Sequence, residues 1–220
     1  MASNRGWAAR LPSRRANDIL TVKNISTIGD DYRSGEIPVA SDAASSERTL
    51  VWNHKISLIR YDITKLRVDA IVNAANSRLQ NGSGVNGAVH EAAGHSLMPA
   101  LAIHKGCETG SAKVTEAFEL PCKRIIHAVG PVFGVDFAAK KLLRSCYRTS
   151  LELAAEHKFK TIAFSCISTG VYEYPSDEAA KVAVNEAKKF FESGRAKHVD
   201  RIIFCCFDEK DLLAYQKVLP

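Results

Sequence analysis

The sequence lacks the features that mark several large classes of protein. No apolar run approaches the roughly 20 residues of a membrane-spanning helix, and only 13 of the 220 residues are glycine, whereas a collagen-like chain needs about one in three. These absences exclude membrane-spanning and collagen-like classes. The hydrophobic fraction of 46 % is that of a soluble globular protein, and the length suits one domain that needs neither a disulfide nor a structural metal.

Metal-binding cysteine patterns are also missing. Six cysteines are present, but no two of them have the C-x-x-C spacing of many zinc sites. Several lie inside apolar runs such as IIFCCF, where a reduced cysteine behaves as a small hydrophobe. We therefore expect no metal ion, no cofactor and no catalytic cysteine. Reduced thiols also favour an intracellular protein of the cytoplasm or nucleus.

Acidic residues are absent from the first 17 positions, which hold four arginines. The formal net charge of +6 therefore comes mostly from this segment, and the rest of the chain is close to neutral. A nearly neutral body argues against nucleic acid as a partner. An Arg-rich start without acids is also compatible with mitochondrial targeting, an alternative that stays open beside the flexible tail that we favour.

Apolar runs of strand length alternate with helical patterns from about residue 51 onward. The runs are ISLIRYDI, VDAIVNAA, AKVTEAFEL, KRIIHAVG, TIAFSCIS and RIIFCCF. Apolar residues recur at intervals of three and four in Val85–Ile103, Phe137–His157, Asp177–Ser193 and Glu209–Val218. The alternation predicts an α/β domain over residues 51–220, with a sheet between two helix layers. Residues 1–50 lack it and are predicted to be an extension with one short helix over Ile25–Tyr32.

A loop of small residues follows the second of these runs, in the segment NAANSRLQNGSGVNGAVHEAAG. Gly82, Gly84 and Gly87 leave backbone N–H groups uncovered at the start of a helix, an arrangement that binds anions. Their spacing also matches the dinucleotide fingerprint G-x-G-x-x-G, but that fingerprint follows its strand directly. Here eight residues intervene, so a nicotinamide-dependent dehydrogenase is disfavoured and phosphate binding remains.

A second loop, Ser168–Tyr172, follows the run TIAFSCIS and precedes the next helix. Both loops come after the carboxyl end of a strand, and ligands of open α/β sheets bind in a crevice at that edge. We therefore expect the two loops to face each other and to hold a diphosphate between them.

With these loops, the chain resembles the macrodomain superfamily and, within it, the MacroD-type ADP-ribosylhydrolases. The resemblance covers about residues 56–219, through the blocks VDAIVNAAN, GSGVNGAVHEAAG, GCETGSAKVTEAFELP, RIIHAVGP, CISTGVYEYP and CFDEKDLLAYQKVL. It implies a three-layer α/β/α domain with a mixed, mainly parallel sheet and ADP-ribose bound in a deep cleft.

The resemblance also implies which residues bind each part of the ligand. Asp62, with the Ile63 backbone beside it, matches the acid that accepts from the adenine amino group, and Phe207 is expected against the adenine face. Asn76 matches the asparagine that holds the distal ribose. The diphosphate-binding positions are Gly84 and Val85 in the first loop and Ser168, Thr169, Gly170, Val171 and Tyr172 in the second.

The catalytic positions implied by the resemblance are Asn76, Asn86 and Tyr172, with Tyr172 beside the distal ribose, where it limits water access. Related hydrolases typically have Asp at the position of Asn86, where it orients or activates the attacking water. An amide is not basic, and positioned acid–base catalysis is worth roughly 10²- to 10⁴-fold. Some similar macrodomains lack this Asp and still hydrolyse, since a diphosphate oxygen can take the proton. We therefore expect weakened hydrolysis.

The implied activity is removal of mono-ADP-ribose from acidic side chains of proteins, or deacetylation of O-acetyl-ADP-ribose. The expected partners are ADP-ribose and mono-ADP-ribosylated proteins, and the chain is expected to be a monomer. Asn86 supports an alternative, a reader module that binds ADP-ribose without turnover.

Five further polar or aromatic positions are also interpreted. Asn73 is expected to bond its own backbone, and His90 and His127 are expected to be structural hydrogen-bonding residues. Glu173 stands where relatives commonly have Gly, and a carboxylate that pointed inward there would weaken diphosphate binding. Tyr61, before Asp62, also replaces a common Gly.

Overall fold

A six-stranded sheet forms the centre of the computed structural model, which describes residues 18–35 and 52–219. The described strands are β1 (Leu20–Thr21), β2 (Ile56–Arg60), β3 (Leu66–Arg67), β4 (Ala70–Ala75), β5 (Ala112–Glu116), β6 (Arg124–Val129), β7 (Thr161–Phe164) and β8 (Arg201–Cys206). The six longer strands are arranged in the order β2-β8-β7-β4-β6-β5, and β1 pairs with β3 outside this sheet. All neighbours in the large sheet are parallel except β5 and β6. The predicted mixed, mainly parallel sheet is confirmed.

Helices cover both faces of the sheet, as predicted for a three-layer fold. The described α-helices are α1 (Ile28–Arg33), α2 (Gly84–Ala93), α3 (Leu97–Ala102), α4 (Ala139–Glu156), α5 (Ser176–Glu192) and α6 (Glu209–Gln216). One buried cluster joins one face of the sheet to α4, α5 and α6. A second cluster joins the other face to α2 and α3. Among the described residues, no helix combines the length and apolar character needed to cross a bilayer.

The sequence of β8 shows why both faces are buried. Successive side chains of a strand point to opposite faces, and in β8 all of those from Ile202 to Cys206 are apolar. Ile202 and Phe204 belong to the cluster under α4, α5 and α6, whereas Ile203 and Cys205 belong to the cluster under α2 and α3. The continuous apolar run that predicted a doubly covered strand is therefore confirmed.

The helix predicted over Val85–Ile103 is in fact two helices, α2 and α3. Gly94 ends α2 with a φ of +78°, in the left-handed region that favours glycine. The apolar positions continue in helical phase beyond this break, since Val89, Leu97 and Leu101 all lie in the same buried cluster. The periodicity therefore predicted the buried face but not the break.

Part of the segment before residue 50 packs against the domain. Helix α1 begins at Ile28, three residues later than predicted, where Thr27 and Asp30 form a reciprocal capping box. Ile28 is fully buried in the large apolar cluster, and Leu20 of β1 pairs with Leu66 of β3. The serine-rich stretch ASDAASSER and the arginines of residues 1–17 lie outside the described residues.

We predict that Ile28→Ala lowers the free energy of unfolding by about 2–5 kcal/mol, the usual cost of truncating a fully buried aliphatic side chain. Urea titration followed by circular dichroism measures it. Ile103→Ala, at an exposed site, serves as the control and should change stability by less than about 0.5 kcal/mol. Equal, small effects of both substitutions would show that α1 is not part of the cooperative fold.

Candidate ligand-binding and catalytic cleft

A cavity of about 590 Å³ lies at the carboxyl ends of the parallel strands. Its walls come from the segments that follow β2, β4, β6, β7 and β8. Because β2 and β8 lie at one side of the sheet and β4 and β6 at the other, the cavity is a cleft with two distinct ends. Asp62 and Phe207 lie at the first end, and Asn76 and Gly130 lie at the second.

The structure brings together every residue that the sequence assigned to the site. The residues on the cleft wall include Asp62, Ile63, Asn76, Gly84, Val85, Asn86, Ser168, Thr169, Gly170, Val171, Tyr172 and Phe207. They come from both loops and from the ends of four strands. Their roles toward a ligand remain predictions, but their assembly in one cleft is a property of the fold.

Asp62 is oriented by the short 3-10 turn that follows it. Its Oδ1 accepts hydrogen bonds from the Thr64 backbone N–H at 2.9 Å and from the Thr64 hydroxyl at 2.7 Å. Its Oδ2 accepts none from the described residues, so this oxygen can accept from a ligand. Phe207 lies at the same end of the cleft and is largely exposed. Its ring is therefore available to stack on a planar group of a ligand.

The first loop packs tightly onto the start of α2. A Cβ atom at Gly87 would lie 2.5 Å from the Gly82 carbonyl oxygen, so only glycine permits this approach. Gly84 begins α2 with a φ of +59°, and the Ser83 side chain does not cap the helix. The first backbone N–H groups of α2 therefore have no side-chain cap and lie at the cleft.

The second loop is anchored from behind by a buried carboxylate. Asp211 of α6 accepts from the Thr169 hydroxyl at 2.9 Å and from the Ser176 hydroxyl at 2.6 Å. Lys210 donates to the Thr169 carbonyl at 2.9 Å. Ser168 begins the loop with a φ of +68°, which turns the chain sharply between β7 and α5. These bonds hold the loop in one shape before any ligand arrives.

No lysine or arginine lies among the described residues of the cleft wall, whereas Asp62, Asp208 and Asp211 do. A diphosphate bound here must therefore be held by backbone N–H groups and helix dipoles. The two loops lead into α2 and α5, which cover opposite faces of the sheet. They consequently approach the cleft from opposite sides, as predicted.

Asn76 and Asn86 both hold the loop that connects β4 to α2. Asn76 Nδ2 donates to the Gln80 carbonyl at 2.7 Å, and its Oδ1 accepts from the Gln80 N–H. Asn86 Nδ2 donates to the same carbonyl at 2.9 Å, while its Oδ1 accepts from Asn73 Nδ2 at 2.8 Å. The amide of Asn86, on α2, therefore connects this helix to Asn73 of β4 and to Gln80 of the loop.

The interpretation of Asn73 was wrong. Its side chain does not bond its own backbone; it lies fully buried under α2, where it contacts Asn86 and lies 3.3 Å from His127 Nδ1. The backbone-capping role belongs to Asn76 instead. The strand period explains this result, since Asn73 shares its face of the sheet with Ile71 and Ala75.

The two histidines differ. His127 is a structural hydrogen-bonding residue, as predicted: its Nε2 lies 2.9 Å from the Thr115 hydroxyl. Burial, together with His90 and His104, lowers the pKa of His127 to about 3. His90 is buried too, and burial lowers its pKa, but neither ring nitrogen has a hydrogen-bond partner among the described residues. The prediction for His90 was wrong in that respect.

Two departures from the family pattern now have a structural explanation. Glu173 is exposed and does not line the cleft, and its φ of +53° shows why glycine is common at this position. Tyr61 is buried, and its hydroxyl donates to the Asp18 carbonyl at 2.5 Å. Tyr61 therefore links the floor of the cleft to the segment that carries β1.

Sequence reasoning missed Asp211 and the cleft-lining residues Cys166 and Cys205. The signal for Asp211 was an acid in the first turn of the helix that follows the last strand, but nothing in the spacing indicated that it reaches the second loop. Within the described residues, no group of three His, Cys, Asp or Glu side chains is placed to hold a metal ion.

Comparison with known proteins identifies the family. Residues 72–183, about half of the chain, match the family model described as Macro domain. The chain belongs to the macro domain family. This macro domain is 45 % identical over 205 residues to mouse ADP-ribose glycohydrolase MACROD1, covering 92 % of this chain and 62 % of that protein. It is also 49 % identical over 168 residues to a macro domain-containing protein of Chlorobaculum tepidum, covering 76 % and 96 % respectively.

Solved structures agree with this assignment. The Trypanosoma brucei macrodomain, crystallised in complex with ADP-ribose, superposes with a TM-score of 0.77 at 35 % identity, over 93 % of this chain and 78 % of that one. The Oceanobacillus iheyensis macrodomain with ADP gives a TM-score of 0.70 at 38 % identity, over 76 % and 91 %. The present macro domain spans less than two thirds of the mouse relative.

We predict that His127 makes stability depend on pH. The unfolded chain binds a proton near the ordinary pKa of 6.5, whereas the folded chain binds it only near 3. The stabilisation that comes from keeping His127 neutral is therefore complete above pH 6.5 and is lost as the pH falls toward 3. At pH 5 the free energy of unfolding is lower by about 2 kcal/mol. Urea titrations at pH 7.5 and 5 measure it.

His127→Gln removes the titrating group and should lose less stability between the two pH values than the wild-type protein does. His157→Gln, at an exposed site, is the control and should keep the wild-type difference. Identical pH dependence in all three proteins would contradict the neutral, buried state of His127.

Proposed function

We propose that this protein is an ADP-ribosylhydrolase that removes mono-ADP-ribose from acidic side chains of proteins, and that it also cleaves O-acetyl-ADP-ribose. The observation that carries the proposal is the cleft itself, in which two loops from opposite faces of the sheet meet without any cationic side chain on the described wall. Such a cleft suits a diphosphate with a nucleoside on one side and a sugar on the other. The names of the mouse and trypanosomal relatives support this choice.

The proposed ligand spans the cleft from end to end. Adenine lies between Phe207 and the unpaired Oδ2 of Asp62, a carboxylate oxygen that accepts from the exocyclic amino group. The diphosphate lies between the first N–H groups of α2 and the loop Ser168–Tyr172. The distal ribose then reaches Asn76 and Asn86 at the other end, with Tyr172 beside it.

The reaction needs little from an acid or a base. Water attacks the anomeric carbon, the bond between that carbon and the acyl oxygen breaks, and the carboxylate leaves with the electron pair. A carboxylate with an ordinary pKa near 4 leaves without being protonated. The remaining requirement is to hold water and sugar in line and to accept the proton of the water, for which a diphosphate oxygen is available. Positioning by the cleft therefore supplies most of the catalysis.

The geometry of Asn86 supports turnover that is weakened and not lost. Its Nδ2 and Oδ1 already bond Gln80 and Asn73, so its main contribution is the shape of the first loop. It is nearly buried but lines the cleft, which leaves it able to contact one bound water. The second candidate function, a reader that binds ADP-ribose without turnover, rests on this same residue, since an amide cannot act as a base.

We predict that Asp62→Asn lowers ADP-ribose affinity by roughly 10- to 100-fold, because the carboxylate acceptor toward the adenine amino group is replaced by an amide. Isothermal titration calorimetry measures this change. The analogue with hypoxanthine in place of adenine presents a carbonyl at the same position, so the variant should lose less affinity for it. If the variant loses the same affinity for both ligands, Asp62 does not recognise the base.

We predict that Asn86→Asp raises kcat for glutamate-linked ADP-ribose, by roughly 10²-fold, the lower end of positioned acid–base catalysis. The new carboxylate replaces a donor that faces the Gln80 carbonyl, so the free energy of unfolding should fall by about 1–3 kcal/mol. Release of ADP-ribose from a glutamate-modified protein, followed by chromatography, and urea titration measure the two effects.

Asn81→Asp is the matched control, because Asn81 lies on the same loop but does not line the cleft. It adds the same charge and keeps the oxygen that accepts from Gly82 N–H, so kcat should stay within about twofold of wild type. If neither wild type nor Asn86→Asp releases ADP-ribose while calorimetry shows binding, the reader function is correct and the hydrolase proposal is wrong.

A further inference from the structure

Four apolar side chains are exposed beside one end of the cleft. They are Phe133, Val135 and Phe137, after β6, and Val171 in the second loop, and we call them the rim patch. Their exposed fractions range from 47 % for Phe133 to 98 % for Phe137. Apolar side chains exposed beside a cleft are typical of surfaces that bind another molecule.

The rim patch is continuous with the cleft. Gly130, directly after β6, is part of the cleft wall, and so are Val171 and Tyr172. The Phe133 N–H donates to the Tyr172 carbonyl at 2.9 Å, so the segment after β6 runs beside the second loop. The Phe133 ring also packs edge-on against Tyr174 with centroids 5.1 Å apart.

The turn that presents the patch is held by its own hydrogen bonds. The Val132 N–H donates to the Asp136 carboxylate at 2.6 Å. The N–H groups of Val135 and Asp136 both donate to the Val132 carbonyl, at 3.3 and 3.0 Å. The side chains of Val135 and Phe137 are exposed beside this hydrogen-bonded turn, so covering them costs the turn itself little conformational entropy.

The position of the rim patch along the cleft indicates what kind of molecule could bind it. In the proposed binding mode, adenine lies at the end formed by β2 and β8, and the distal ribose lies at the end formed by β4 and β6. The group attached to the distal ribose must therefore leave the cleft next to the segment after β6. For O-acetyl-ADP-ribose this group is only an acetyl, but for a modified protein it is a polypeptide that continues over the rim.

We propose that the rim patch binds the polypeptide that carries the ADP-ribosyl group, by burying apolar side chains next to the modified acidic residue. This inference rests on the proposed function for the placement of the ligand, and it adds a specificity surface that free ADP-ribose does not contact. The modified segment lies across Phe137, Val135 and Val171 while its ADP-ribose fills the cleft.

The double variant Val135→Ser/Phe137→Ser tests this surface. Both side chains are exposed, so the substitutions leave the core intact. With a glutamate-ADP-ribosylated peptide that has leucine on either side of the modified residue, kcat/KM should fall roughly 10-fold, the equivalent of about 1.4 kcal/mol of lost apolar burial. With O-acetyl-ADP-ribose, kcat/KM should stay within about twofold of wild type. Ile103→Ser, at an exposed apolar site directly after α3, is the matched control and should leave kcat/KM for both substrates unchanged.

Binding provides a second readout that does not depend on turnover. An ADP-ribosylated peptide with a stable, non-ester linkage and the same leucines should bind wild type more tightly than free ADP-ribose does, and the double variant should lose this difference. If wild type cleaves neither substrate, the proposed hydrolase is wrong, but the peptide preference in binding still supports the rim patch.

Three results would overturn the inference. An equal loss on the peptide and on the small ester would show that the patch only supports the cleft. No loss on either substrate, together with no peptide preference in calorimetry, would show that the polypeptide does not contact it. A wild-type dimer that the double variant converts to a monomer, with peptide turnover unchanged, would assign the patch to contact between two copies of the chain.

Discussion

In the proposed function, recognition of an anion by backbone N–H groups is the constraint on which the site depends. A lysine or arginine can reach a phosphate from many loop conformations, but an N–H group donates only where its own backbone places it. With no cationic side chain on the described cleft wall, the two loops must be held in shape before the ligand binds. Their anchors are consequently as important to the site as the residues that would touch a ligand.

The anchors differ on the two sides of the cleft. The second loop depends on a buried carboxylate, Asp211, that accepts from Thr169 and Ser176. The first loop depends on close packing of Gly87 against Gly82 and on neutral amides that meet at the Gln80 carbonyl. A neutral amide suits the buried position of Asn86 because it avoids the desolvation cost of a charge. The low pKa of His127, which stays neutral beneath these amides, follows from the same burial.

Much of the fold could be predicted from the sequence because its signals are local. Each of the six predicted strands is present, and β8 alternates between two apolar clusters as its continuous apolar run requires. The assembly of the cleft followed from the rule that loops after parallel strands share one edge. The break at Gly94 was missed because the apolar period runs through it. The helix ends there because Gly94 has a positive φ, which the spacing of apolar residues does not report.

Side-chain partners across the fold could not be predicted in this way. Asn73 and Asn76 look alike in sequence, and only the pairing of β4 with its neighbours puts Asn73 under α2 and leaves Asn76 at the loop. Thr169 and Asp211 are 42 positions apart in the sequence, so no local sequence pattern could predict their contact. The bond from Tyr61 to Asp18 likewise depends on how the early segment returns to the sheet.

In the proposed function, the two ends of the cleft contribute unequally to catalysis. The end with Asp62 and Phe207 has a fixed carboxylate and an exposed ring, which in the proposed binding mode recognise adenine, a part of the ligand that does not react. The other end has amides and a half-buried tyrosine. In the proposed binding mode these groups lie beside the sugar, where they are weak as acids and bases. Binding energy from a remote group can hold a reacting centre in place, and then the reacting end needs less chemistry of its own. In the proposed function an amide at position 86 is tolerable for this reason: the leaving carboxylate would need no acid, and the sugar would be held from the far end of the cleft.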